Sequence, residues 1–221
     1  MHSLMLSSLI LGAASAVLVA QETANRTVIP KTCFDSVADF ENSFGYLYPW
    51  GSDHNGAARM DKDHIKVSGG VLKLTASPVT GQKPASSSGK SIHIHYISGT
   101  VYAKAHFNVS RTGGYDFMGD FRATTTRGTW PAFWLTAVRG WPPEIDMAEW
   151  KGSGDISFNT FNTSSEVAAK NVNYPKPENF HSIKAELRDL NGKDVQVKFY
   201  LDGELVTTQV GKDFVGVPMY L

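Results

Sequence analysis

The sequence holds one cysteine, Cys33, so no disulfide can form within the chain, and the fold must rest on its core. Cys33 is either buried and inert or has lost a partner. Charge excess is also missing. Twenty-one Lys and Arg balance twenty-one Asp and Glu, which removes the broad positive field that draws proteins to nucleic acid or anionic membranes. A neutral partner is favoured. No apolar period of 3.6 residues runs for three turns, which excludes a helical bundle. The pairs Gly69-Gly70 and Gly113-Gly114 are turns and not phosphate loops, because no helix follows either. His93 and His95 share a strand face in SIHIHYISG, but no third ligand stands at diagnostic spacing, so no metal site is assigned.

What is present suits one globular domain. The chain has 221 residues, 42% hydrophobic and 19% charged, enough to bury a sizeable core. Its first twenty residues, MHSLMLSSLILGAASAVLVA, carry no Asp, Glu, Lys or Arg and end in small residues before the polar QETANRT. That pattern reads as a signal peptide over residues 1–20, with a single membrane anchor as the rival reading. The expected product, residues 21–221, is secreted to the extracellular space or cell wall, with no membrane attachment once the signal is removed. Secretion gives meaning to three N-x-[ST] sequons, at Asn25, Asn108 and Asn162.

After residue 30, short runs rich in Val, Ile, Thr and aromatics alternate with Gly, Asn, Asp and Ser clusters, an all-β pattern. Near the end, Ile183 to Arg188, Val195 to Leu201 and Glu204 to Gln209 are separated by Asn191-Gly192 and Asp202-Gly203, which predicts two consecutive hairpins. Further strands are expected at Val71 to Ala76, Ile97 to Phe107, Asp116 to Ala123, Ala132 to Ala137, Ile145 to Trp150 and Ile156 to Asn162. Pro78 to Ser91 lacks apolar periodicity and reads as a mobile loop. So many antiparallel strands imply a sandwich or barrel.

The segment WPPEIDMAEWK places Glu144, Asp146 and Glu149 at i, i+2 and i+5. Along a strand, Glu144 and Asp146 share one face, and Ile145 and Met147 take the other. Strict alternation would bury Glu149 unpaired in the core, at a cost of several kcal/mol. One β-bulge near Ala148 returns Glu149 to the carboxylate face and sends Trp150 to the core. The two glutamates then stand about 13 Å apart along the backbone, close enough for their side chains to lean together. Paired carboxylates at ~5 to 5.5 Å suit a retaining glycosidase, and Asp146 between them helps hold their pKa values apart. A plain solubility face would not need Trp130, Trp134, Trp141 and Trp150 within twenty-one residues around the acids. Flat rings stack on sugars, which points to Trp130 and Trp141 as cleft residues.

RGTWPAFWL followed by WPPEIDMAEWKG resembles glycoside hydrolase family 16, in its branch with a bulged E-x-D-x-x-E strand. Asp120-x-Arg122 resembles the family's E-x-R strand, and FHSI at Phe180 to Ile183 and FYLDG at Phe199 to Gly203 resemble later strands. The resemblance implies an antiparallel β-sandwich of jelly-roll, lectin-like type with a concave carbohydrate cleft. It implies Glu144 as nucleophile, Asp146 as its electrostatic assistant and Glu149 as general acid and then base. Arg122, Trp130, Trp141 and Asn159 are expected on the cleft wall. No organic cofactor is implied; a structural calcium ion, found in some relatives, is not readable here.

Three departures stand out. Asn159 occupies SFNTFNTSS, where many members carry a histidine, and SIKAELRD lacks the family's usual tryptophan. The chain also stops at VGVPMYL, where the resemblance implies a closing strand, so an unpaired edge and impaired folding are expected. The leading expectation is a monomeric, secreted, retaining endo-glycosidase acting on a polysaccharide, with β-1,3- or β-1,3/1,4-glucan favoured. The alternatives are a transglycosylase using the same acids and a carbohydrate-binding module, which would not need both glutamates.

Overall fold

Residues 26–221 are described by a computed structural model; the expected signal peptide and the Asn25 sequon lie outside the described residues. A short helix, α1 (Val37–Ser43), opens the fold and leads into β1 (Phe44–Tyr46) and β2 (Ala58–Met60). The next strands are β3 (Ile65–Ser68), β4 (Val71–Leu74), β5 (Ala76–Pro78), β6 (Ala85–Ser87), β7 (Lys90–Ile92), β8 (Tyr96–Ser98) and β9 (Val101–Ala103). These early strands pair into small sheets of two or three. The longer strands follow: β10 (Gly114–Phe121), β11 (Ala132–Ala137), β12 (Glu144–Glu149), β13 (Asp155–Phe161) and β14 (Val167–Asn173). The chain continues through β15 (His181–Asp189), β16 (Val195–Leu201), β17 (Glu204–Gly211) and β18 (Met219–Tyr220).

The longer strands build two antiparallel sheets, ordered β14-β13-β12-β11-β18 and β10-β15-β16-β17, and neither closes into a barrel. The fold is an antiparallel β-sandwich of jelly-roll type. Its core follows from period-two alternation: Val195, Val197 and Phe199 of β16 point inward, as do Ile183, Ala185 and Leu187 of β15. Ile145, Ile156 and Phe158 meet them from the other sheet, all without solvent exposure. Phe158 touches Phe199 across the layers with ring centroids 5.6 Å apart. Gln209 Nε2 also donates across them to the Phe158 carbonyl at 3.0 Å.

The Asp202-Gly203 turn forms as expected, with φ of +51° and +85°, which is what a two-residue hairpin with its register Leu201↔Glu204 demands. Asp202 also takes a hydrogen bond from the Ser182 backbone at 2.9 Å and pairs with His181 Nδ1 at 2.7 Å. The FHSI and FYLDG segments are thereby pinned together. The Asn191-Gly192 turn is wider than a two-residue hairpin, because β15 runs to Asp189 and Leu190 N–H donates to the Asp194 carbonyl at 2.9 Å. Asp189 and Asn191 side chains accept the loop's free N–H groups instead.

Two expectations need correction, and one element has no counterpart among them. Pro78 to Ser91 is not a plain loop: β6 and β7 form a hairpin with Ser88 and Gly89 both at positive φ and Ala85 buried. Its polar composition leaves no hydrophobic alternation, since backbone hydrogen bonds hold it. The single strand expected over Ile97 to Phe107 is broken into β8 and β9 around Gly99, where a Cβ would stand 2.5 Å from the His64 carbonyl oxygen. The helix α1 was unforeseen, being too short to show a period; Ser36 caps it by accepting from Asp39 N–H at 3.0 Å, and Phe40 is its one buried anchor.

Phe158 joins the two sheets, so Phe158→Ala is expected to cost about 3–5 kcal/mol through the cavity it leaves. Urea denaturation measures this. A loss below 1 kcal/mol would mean that the two layers do not share this core.

Candidate active site

The site grows from β12, the middle strand of the five-stranded sheet. Its register against β13 pairs Asp146 with Asn159 and Glu149 with Ser157, so Met147 and Ala148 together oppose Phe158. Against β11, Ala148 pairs with Phe133 and Asp146 with Trp134, leaving Met147 as the extra residue. This is the bulge expected from the sequence, at Met147–Ala148. Ile145, Met147, Ala148 and Trp150 all join the core cluster. Asp146 and Glu149 meet on the opposite face, where one Asn159 Nδ2 donates to Asp146 Oδ2 at 3.0 Å and to Glu149 Oε2 at 2.6 Å.

Each glutamate has its own indole. Trp130 Nε1 donates to Glu149 Oε1 at 2.5 Å, and Trp141 Nε1 donates to Glu144 Oε2 at 2.9 Å. Both tryptophans remain more than half exposed, at 56% and 52%, while their N–H groups hold the acids. Lys151 Nζ pairs with Glu149 Oε2 at 2.7 Å and lies 5.5 Å from the centre of the Trp130 ring. Asp146 and Glu149 are only 2% and 5% exposed, a degree of burial that carboxylates tolerate only with such donors.

Burial decides the protonation. It pushes Glu144 up to about 7, with the Glu149 charge adding to the rise and the Trp141 hydrogen bond and Lys151 opposing it. Asp146 is held well above the carboxylate range by burial, then by the charges of Glu149 and Glu144, against the Asn159 hydrogen bond. At neutral pH Asp146 is un-ionised and Glu144 is near its midpoint. Three neighbouring carboxyls therefore do not all carry charge at once.

The other sequence-selected residues fall as follows. Asn159 lies beneath the acids, buried and bonded to two of them, in place of an open position on a wall. Arg122 forms no ion pair with the carboxylates: it follows β10 of the other sheet, and its guanidinium sits over the Phe180 ring at 5.2 Å. Asn108 is exposed, and Asn162 Oδ1 accepts from Lys212 N–H at 2.8 Å just beyond β13. His93 and His95 are exposed with ring centroids 6.4 Å apart, and among the described residues no group of three metal-binding side chains forms. Lys151 was missed, although it adjoins the acidic segment. Tyr48, Trp50 and His54 were missed as well; they pack beside Trp134, whose register partner is Asp146. Trp50 stood out only as the one tryptophan outside the acid-flanking cluster.

Residues 55–219 match the sequence family described as glycosyl hydrolases family 16. The chain belongs to that family. A galactan endo-β-1,3-galactanase of Flammulina velutipes is 49% identical over 197 residues, covering 88% of this chain and 78% of that protein. The endo-1,3-1,4-β-glycanase ExsH of Rhizobium meliloti is 31% identical over 164 residues, 71% of this chain but 32% of its own length. Among solved structures, porphyranase B of Zobellia galactanivorans aligns with a TM-score of 0.59 at 17% identity, over 81% of this chain and 72% of that one. A β-1,3-1,4-glucanase (lichenase) from a mouse hindgut metagenome aligns with the same TM-score at 18% identity, over 85% and 81%. These structural likenesses speak for the fold. The family makes this chain an O-glycosyl hydrolase.

The raised pKa of Glu144 has a stability consequence. Folded Glu144 holds its proton up to about pH 7, against 4.5 for an ordinary glutamate, so folding stability falls as pH rises through that window. Glu144→Gln is therefore expected to melt a few degrees above the parent at pH 8, with the gap closing at pH 4. Calorimetry at both pH values checks it; a gap independent of pH would contradict the burial of Glu144.

Proposed function

We propose that this chain is a secreted, retaining endo-glycosidase that cleaves internal β-linkages of a polysaccharide, with β-1,3-galactan ahead of β-1,3- and β-1,3/1,4-glucans. The observation that carries the chemistry is the Met147–Ala148 bulge, which gathers Asp146 and Glu149 around one Asn159 amide on the face away from the core. The 49% identity to a galactan endo-β-1,3-galactanase supports the ranking of linkages. The apolar leader and the sequons support secretion and glycosylation at Asn108 and Asn162. The chain acts as a monomer on this reading.

In the proposed reaction, Glu149 first takes up the proton that Asp146 holds in the free site; an oxygen of ionised Glu144 then attacks the anomeric carbon while Glu149 gives that proton to the glycosidic oxygen. The C–O bond to the leaving sugar breaks, and a glycosyl ester on Glu144 forms. Glu149, now ionised, takes a proton from water, whose oxygen displaces Glu144 with a second inversion and hence net retention. Asp146, un-ionised in the free site at neutral pH, sits between the glutamates on the strand and is the neighbouring source of that proton. Trp141 and Trp130 hold the two glutamates in position through their indole N–H groups. Rate requires Glu144 to be ionised, so activity in the free site rises with pH up to about 7.

The parent is expected to shorten β-1,3-galactan into oligosaccharides of mixed length, with the β-anomer seen first by proton NMR. Glu144→Gln and Glu149→Gln are each expected to lose on the order of 10³-fold in kcat. A parent that cleaves none of β-1,3-galactan, β-1,3-glucan and mixed-linkage glucan would overturn the reading. So would glutamine variants that cleave as well as the parent.

A further inference from the structure

Both oxygens of Glu149 accept hydrogen bonds, yet the proposed reaction needs this group to carry a proton. Trp130 Nε1 donates to Oε1 at 2.5 Å, while Asn159 Nδ2 at 2.6 Å and the Lys151 ammonium at 2.7 Å both donate to Oε2. An ionised carboxylate has lone pairs for all three donors. A carboxylic acid turns one oxygen into a donor and loses the attraction of the ammonium, so this set of neighbours favours the ionised form. Asp146 is placed differently. Among the described residues its one side-chain donor is Asn159, at Oδ2, and a hydrogen bond with Glu149 favours its protonated form. The two acids thus share one proton and one amide.

Of the three donors to Glu149, Lys151 is the one whose head is free to move. Its backbone is fixed on both sides: Trp150 is buried in the core with its N–H donating to the Pro131 carbonyl at 3.0 Å, and Gly152 lies so close to Arg127 that a Cβ there would stand 2.6 Å from its Cα. Its side chain is nonetheless 43% exposed, on a flexible four-carbon stem. The Trp130 ring, centred 5.5 Å from Nζ, offers the ammonium a second seat. Asn159, by contrast, is buried on β13 and tied to both acids. The flanking strands add no charge, since Glu149 stands in register with Ala132 and Ser157, and Asp146 with Trp134 and Asn159. Burial depresses the pKa of His54, which packs against Trp134, below the ordinary histidine value. Besides Glu144 on the same strand, Lys151 is then the charge that matters: among the described residues it is the one cation paired with the three acids.

We propose that Lys151 decides which of Asp146 and Glu149 holds their shared proton, so that the general acid is armed only with substrate in place. The proposal rests on the glycosidase reading. In the free site the ammonium pairs with Glu149 and the proton stays on Asp146. Glycan entering the cleft displaces the ammonium from Glu149 toward the Trp130 ring. One proton then passes from Asp146 to Glu149, which leaves Asp146 ionised and the total charge unchanged. As Glu149 gives that proton to the glycosidic oxygen it becomes a carboxylate again. The ammonium returns to it and stabilises the charge that the step creates. Lys151 is thus a positioning residue that acts through Glu149.

The test compares Lys151→Met, which keeps the stem and removes the charge, with Lys151→Arg, which keeps the charge. Without the cation, Glu144 loses a charge that opposes its raised pKa, and the Asp146–Glu149 pair loses its counter-charge. Both limbs of the profile of kcat/KM against pH are therefore expected to move upward by about one pH unit in Lys151→Met and to keep their places in Lys151→Arg. On whichever glycan of the panel the parent cleaves, Lys151→Met is expected to lose about tenfold in kcat, the rate equivalent of that shift. An oligosaccharide with a dinitrophenyl leaving group, which departs without a proton, is expected to lose little. Lys151→Gln carries the same test should the methionine variant fail to fold. Limbs that stay in place without the charge, or an equal loss on both leaving groups, would overturn the proposal and leave the catalytic reading standing. A parent inactive on every glycan fails the catalytic reading instead, and the proton is then followed by carbon NMR of labelled glutamate carboxyls, with Glu149 assigned by its absence in Glu149→Gln. At neutral pH its resonance is expected to move toward the protonated position in Lys151→Met; an unmoved resonance would overturn the proposal too.

Discussion

The placement of three carboxyl groups on the central strand of a buried sheet is the constraint that the rest of this structure answers. A central strand has neighbours on both edges and a core beneath, so none of its acids can simply turn to bulk water. The extra residue at Met147–Ala148 resolves the parity: Ile145, Met147 and Trp150 anchor the strand in the core, and the acids leave by the other side. Both flanking strands must then shift register at the same point, and both do. The donors come from different segments. Trp130 precedes β11, Trp141 precedes β12, Asn159 lies on β13 and Lys151 follows β12.

This arrangement trades stability for chemistry. Glu144 and Asp146 both bind protons more tightly in the fold than in an open chain, so ionising either at neutral pH works against folding. The two-sheet core offsets that cost. Phe158 illustrates the coupling, since it faces Phe199 across the layers while standing opposite the bulge. Packing between the sheets and the register that turns the acids away from the core are thus held by the same side chain. His181 and Asp202 brace a corner of the second sheet, where a charge-assisted pair also collects the Ser182 backbone N–H.

The chemistry and the walls around it arise at different ranges along the chain. The acids, their indoles and Lys151 fall between residues 130 and 159 together with Asn159, within three successive strands. The aromatic group of Tyr48, Trp50 and His54 arrives from nearly a hundred residues upstream and meets Trp134 there. A reaction centre built on neighbouring strands keeps its geometry through backbone pairing. Walls borrowed from distant segments can change with little effect on that pairing, which is how one fold takes different glycans.

The sequence by itself determined the all-β class, the Asp202-Gly203 hairpin, the strand carrying Glu144, Asp146 and Glu149, and the need for a bulge. Each rests on local rules: alternation of side chains, positive φ at Asp-Gly, and the cost of a carboxylate in the core. Cys33 is buried, and that burial raises the pKa of its thiol. Only the tertiary structure decided that Asn159 bridges two acids, that Arg122 belongs beside Phe180, and that Lys151 reaches Glu149. It also decided that Trp50 stands on the carboxylate face and that a polar stretch closes as the β6–β7 hairpin. These depend on which strands become neighbours and how loops return over them, and no periodicity within a segment encodes contacts made with another.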